Sequence, residues 1–112
     1  MTEEPPNFLQ CIEWLRSDDA LTFENGYHAL VPRSREFRDD FVRLLHAESN
    51  PRMRARFVEL LGDTEDPSVA DILRAELQTG NPQVIPWALT ALERVGSRHI
   101  ADDYRRIHPE YE

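Results

Sequence analysis

The sequence predicts an all-α protein, a short superhelical stack of about six helices. Three observations predict it. Apolar residues recur at helical spacing along most of the chain. Asn-Pro and Asp-Pro dipeptides open successive segments, and glycines close them. The segments themselves repeat at offsets of 31 and 32 residues. With 112 residues the chain is one compact domain by size. Residues 1–34 read as an N-terminal capping helix and an irregular segment, and residues 35–112 as helical repeats.

The elements follow in order. Residues 7–17 form a helix, with Phe8, Ile12 and Leu15 at i, i+4, i+7 and Asn7 as N-cap. Residues 18–33 are irregular. Asn25-Gly26 either turns a hairpin or closes a short helix capped by Asp18, and the helix is preferred because no other segment resembles a strand. Residues 35–48 place Phe37, Phe41, Leu44 and Leu45 on one face. Asn50-Pro51 opens a helix that carries Met53, Phe57, Leu60 and Leu61 and stops at Gly62. Asp66-Pro67 opens the next, with Val69, Ile72, Leu73 and Leu77 inward and Gly80 as its stop. Asn81-Pro82 opens residues 82–96, with Val84, Ala88, Ala91, Leu92 and Val95 inward, a bend at Pro86 and a stop at Gly96. Ser97 caps the last helix, which turns Ile100, Tyr104 and Ile107 inward.

Phe37, Val69 and Ile100 fall at matching positions of three units, as do Phe41, Leu73 and Tyr104. A helix pair of this kind cannot bury its apolar stripe alone, so neighbouring pairs stack on a shared core. Segments 50–62 (NPRMRARFVELLG) and 81–96 (NPQVIPWALTALERVG) resemble HEAT repeats: a polar cap, an apolar residue with Arg (here Met53-Arg54), then an apolar helix ending in a glycine element. Val84-Ile85 departs from the apolar-Arg pair. The resemblance covers residues 35–107 or so. It implies a HEAT-like α-solenoid, a fold shared by scaffolds, adaptors, bilin-lyase-like proteins and small bacterial immunity proteins.

Charge narrows the function. Thirteen Arg, no Lys and 21 acids give a net charge of −8. That balance argues against a general nucleic-acid binder and suits a basic partner protein. No apolar run approaches the ~20 residues of a membrane helix, and the acidic, Pro-marked start Met1–Pro6 is unlike a signal peptide, so a cytoplasmic location is expected. Residues 32–62 form a basic band of seven Arg between two acidic ends. No phosphate loop, metal-ligand spacing or nucleophile motif is present, so no cofactor, metal or catalytic residue is assigned. Cys11 lies on an apolar face and reads as an inert core thiol, and His99–Asp103 as a surface pair.

The repeat register aligns Asp39, Asp71 and Asp102, each two positions after a matching core residue, with Asp40 and Asp103 beside them. In a HEAT-like stack this row lies on the concave face, where it would receive the basic side chains of a partner. Alternatively each Asp simply pairs within its own helix, Asp39 with Arg43, Asp71 with Arg74 and Asp102 with Arg106. Arg52 and Arg56, at i, i+4, form a rival surface able to take an anion. Trp87 is either an exposed interface anchor or packs against a neighbouring helix. Phe23 and Tyr27 either plug the end of the stack or meet a partner. The reading is a non-catalytic protein-interaction module, most concretely a small bacterial immunity or inhibitor protein that occludes a basic effector. An adaptor or assembly scaffold, and a bilin-lyase-like protein, are the alternatives.

Overall fold

The computed structural model describes residues 7–112; Met1–Pro6 lie outside the described residues. Among these there are seven α-helices and no strand: α1 (Phe8–Leu15), α2 (Ala20–Leu30), α3 (Arg38–Ala47), α4 (Pro51–Asp63), α5 (Ala70–Gln78), α6 (Ile85–Arg94) and α7 (Arg98–Ile107). Short 3₁₀ turns at Val31–Arg33 and Pro67–Val69 lead toward α3 and α5, and a third, Pro109–Tyr111, follows α7. The expected six helices become seven because the irregular segment holds a full one. α1 packs on α2, α3 on α4, α5 on α6 and α6 on α7, and α4 lies against α6 at the centre.

The polar starts work as their sequence implies, with one shift of position. The Asn7 carboxamide accepts the Gln10 N–H at 2.8 Å, and Asn50 accepts the Arg52 N–H at 2.9 Å. Asp66 accepts the Ser68 N–H at 2.9 Å. This bond and Arg38 hold its carboxyl down at about 2. α2 is capped by Asp19 rather than Asp18; its carboxylate takes both the Thr22 N–H at 3.0 Å and the Thr22 hydroxyl at 2.7 Å.

The glycines divide into two kinds. Gly80 and Gly96 have φ of +70° and +85° and terminate helices as expected. Gly26 and Gly62 do not stop anything; both lie inside helices. A Cβ on Gly26 would stand 2.8 Å from the Cys11 carbonyl oxygen, and one on Gly62 would stand 2.9 Å from Ala91 Cα. They are close-approach residues that let α2 press on α1 and α4 press on α6. The left-handed residue after α4 is Glu65 (φ 52°) instead.

Two further expectations are corrected. Pro86 falls in the first turn of α6, where its missing N–H has no intrahelical acceptor to lose, so it bends nothing. Ser97 does not cap α7 with its side chain. Its N–H donates to the Leu92 carbonyl at 2.8 Å while Gly96 N–H donates to Glu93, a Schellman closure of α6.

The core holds Leu15, Leu30, Phe41, Leu45, Phe57, Leu61, Leu73 and Leu92, all fully buried. Phe37, Leu44, Ile72, Ile100 and Tyr104 are partly buried at its margin. Ile107 was expected inward but is exposed; Ala101 takes the buried place on α7. Cys11 is buried, and burial raises its thiol despite Arg33 nearby. No helix of the described residues is long and apolar enough to cross a membrane.

Candidate functional site

The arginine band is dispersed by the fold. Arg33 pairs with Glu36, and Arg43 with Asp40. Arg35 donates to the Thr64 carbonyl at 2.8 Å and Arg38 pairs with Asp66, so both tie the α3 side to the loop after α4. Arg54 is the most enclosed of these tethers. It donates to the Leu45 and Glu48 carbonyls at 2.8 and 2.5 Å, closing the end of α3, and pairs with buried Glu76 of α5. These five lie away from the α2, α4 and α6 side of the molecule that Arg52 and Arg56 line.

The two that remain, Arg52 and Arg56, meet Trp87. The three line one cavity of about 440 Å³ on the α2, α4 and α6 side. α4 supplies Arg52, Arg56 and Glu59, spaced so that all three fall on one face. α2 supplies Phe23 and Tyr27, one turn apart with ring centroids 6.0 Å apart. Trp87, in the first turn of α6, is 44% exposed, and Gln83 stands one turn before it. Of the two readings of Trp87, the structure gives the exposed one.

The two arginines differ. Arg52 forms an ion pair with exposed Asp18. Arg56 has no carboxylate partner among the described residues. Its Nη1 donates to the Leu15 carbonyl, at the end of α1, and to Ser17 at 3.4 Å. Its guanidinium carbon sits 4.0 Å above the Phe23 ring. Burial, then the like charge of Arg52, lowers its proton affinity. A partly buried cation held by neutral carbonyls and a ring leaves positive potential in the cavity wall.

On the cavity floor one phenol faces two carboxyl groups. The Tyr27 hydroxyl is 2.9 Å from Glu59 Oε1 and 3.0 Å from Asp63 Oδ2. A phenol has one proton, so it donates to one carboxylate at a time; the other contact is favourable only when that carboxyl is protonated. Asp63 is also held in an ion pair by Arg94 of α6. Glu59 is the carboxyl whose proton affinity is raised. Burial and the charge of Asp63 raise its carboxyl above the ordinary range, against the opposing pull of Tyr27, Arg94 and Arg56. The same surroundings push the Tyr27 hydroxyl up, burial first.

The aspartates lie elsewhere, on α3, α5 and α7. Asp39, Asp40 and Asp71 occupy first turns, where a helix N-terminus favours negative charge. Asp39 is exposed and pairs with Arg38 at 3.0 Å, not with Arg43. Asp102 pairs with Arg105 and Arg98 at 3.5 and 3.7 Å, and Arg106 takes Asp103 at 3.0 Å. Asp71 is exposed and has no ion pair among the described residues, so the expected bond to Arg74 is absent. Asp103 pairs with Arg106 rather than His99. No bond links the three aspartates of the row to one another.

Comparison with known proteins returns no match: no family model, no curated protein and no solved structure aligns with the chain. The HEAT resemblance thus stands on segments 50–62 and 81–96 alone. Ala55 and Gln83 are the cavity residues with no role in the sequence reading, and Glu59 enters it only as an acid near enough in sequence to neutralise part of the arginine band. Glu59 had a signal, since it stands seven residues after Arg52 and three after Arg56 on the same helical face. Gln83 had none. Among the described residues no group of three His, Cys, Asp or Glu side chains is gathered to hold a metal ion.

Proposed function

We propose that this chain is a non-catalytic protein-binding module whose docking point is the cavity beside Trp87. The observation that carries the reading is convergence. A half-exposed indole, two arginines and two further aromatic side chains meet around one concavity of about 440 Å³. Tryptophan and arginine are the residue types that most often anchor protein interfaces. The cavity's size lies within the usual range for ligand pockets, and its floor offers no nucleophile beside the Glu59 carboxyl.

The partner is a basic protein. The net charge of −8 and the exposed Asp39, Asp71, Asp102 and Asp103 support that choice, because they favour encounter with positive surface. These acids steer and the cavity anchors. The proposed architecture is a short HEAT-like stack. Its support is the repeated Asn-Pro starts of residues 50 and 81 and the close approach of Gly62 to Ala91, which packs α4 against α6. The role of a small immunity or inhibitor protein rests on the resemblance and on size.

The test is differential capture from the source cell lysate. Three baits are compared at low and high salt: the parent, Trp87→Ala, and the triple variant Asp39→Asn/Asp71→Asn/Asp102→Asn. One basic protein should be retained by the parent, lost by Trp87→Ala and weakened in the triple variant. Equal retention by the parent and a folded Trp87→Ala would overturn the assignment of the surface.

A further inference from the structure

Two guanidinium groups and one carboxyl line the cavity of a strongly acidic chain. Arg56 makes no ion pair among the described residues: it donates to carbonyls and lies over an aromatic face, while Asp18 and Glu59 act on its charge from farther away. Arg52, one turn away, has only exposed Asp18. Glu59, the one acid in the lining, accepts the Tyr27 hydroxyl at 2.9 Å, so part of its hydrogen-bonding capacity is turned to the cavity floor. The unused donors of two guanidinium forks border a concavity whose remaining walls are Phe23, Tyr27, Ala55, Gln83 and Trp87. Guanidinium forks match carboxylate geometry, and an indole beside them suits a ring.

A side-chain carboxylate of a basic partner is set among cations that Arg52 and Arg56 would repel. A chain terminus has one whatever the net charge. We propose that the cavity receives the C-terminal aromatic residue of a partner chain, its α-carboxylate on Arg56 and Arg52 and its ring against Trp87. This rests on the docking reading above and specifies what docks. Asp18 then acts as an internal competitor, occupying Arg52 until the partner's carboxylate replaces it.

The probes are N-acetyl-glycyl-phenylalanine with a free carboxylate, the same peptide as its C-terminal amide, and N-acetyl-glycyl-alanine as the acid. Binding is followed by the NMR shift of the Trp87 indole N–H. The phenylalanine acid should bind about tenfold more tightly than its amide, since a charge-assisted pair is lost in the amide. It should also exceed the alanine acid. Arg52→Gln, at an exposed side chain, should remove most of the acid-over-amide preference. Asp18→Asn should do the reverse, tightening the acid by about threefold while leaving the amide unchanged, because it releases Arg52 from a solvent-exposed pair. Equal affinity of acid and amide, or an unchanged acid affinity in Asp18→Asn, would overturn the terminus assignment. If Trp87→Ala still abolishes capture of a partner, that failure leaves the docking reading standing. If no peptide shifts the indole and Trp87→Ala captures normally, both fall.

Discussion

Arg54 and Arg56 lie two residues apart on α4 and point to opposite fates. Arg54 turns toward α3 and α5, where two carbonyls and the buried carboxylate of Glu76 close around it. Arg56 turns toward α1 and α2, where it finds two carbonyls and the Phe23 ring but no carboxylate. The first is a tether, complete within the chain. The second is a cation left unmatched at the edge of a cavity. Charge alone does not mark a working surface; a charge whose partner is missing from the fold does. The same distinction applies to the aspartates, most of which are already matched by arginines of their own helices.

The contrast can be broken from either side. The largest effect belongs to the tether. Glu76→Ala strands Arg54 in a nearly closed site and should cost about 3 kcal/mol, read from the urea midpoint. Arg56→Met should cost less, because no carboxylate is left behind; a loss equal to that of Glu76→Ala would erase the distinction. Next is packing. Gly62→Ala puts a methyl against the Ala91 backbone and should destabilise by roughly 1–3 kcal/mol, whereas the same change at Gly80 meets no atoms, only backbone strain.

Smaller still is the effect of the raised Glu59 carboxyl. The Glu59 carboxyl is raised in the folded chain. Its contribution is therefore full below the ordinary value of 4.5 and is lost as pH rises through the raised value. Glu59→Gln, neutral throughout, should match the parent in acid and exceed it in thermal midpoint at alkaline pH. A parent that gains on Glu59→Gln as pH rises would contradict the raised Glu59 carboxyl. Smallest is the aspartate face: Asp39→Asn should move stability by no more than about 0.5 kcal/mol, as for exposed pairs generally.

Much of the helical order was legible because it is local. Asn7, Asn50 and Asp66 bond to N–H groups two or three residues on, and the apolar faces follow a fixed period. What was not legible depends on other helices. Gly26 and Gly62 look like stops in sequence; only the crossing of α1 with α2 and of α4 with α6 makes them spacers. Arg52, Arg56 and Trp87 were recognisable as residue types suited to a surface, but their meeting in one cavity required the packing of α4 and α6 beside α2. Glu59 reads in sequence only as an acid near Arg52 and Arg56; its contact with Tyr27, 32 residues away, exists only in the fold.

The central claim is that the cavity, and not the aspartate row, supplies most of the binding energy. It is tested most directly by calorimetric affinity of the captured partner for Trp87→Ala and for Asp39→Asn/Asp71→Asn/Asp102→Asn. A loss of about tenfold or more is predicted for Trp87→Ala, with a smaller, salt-sensitive loss for the aspartate variant. The opposite order, with Trp87→Ala binding as the parent does, would contradict it.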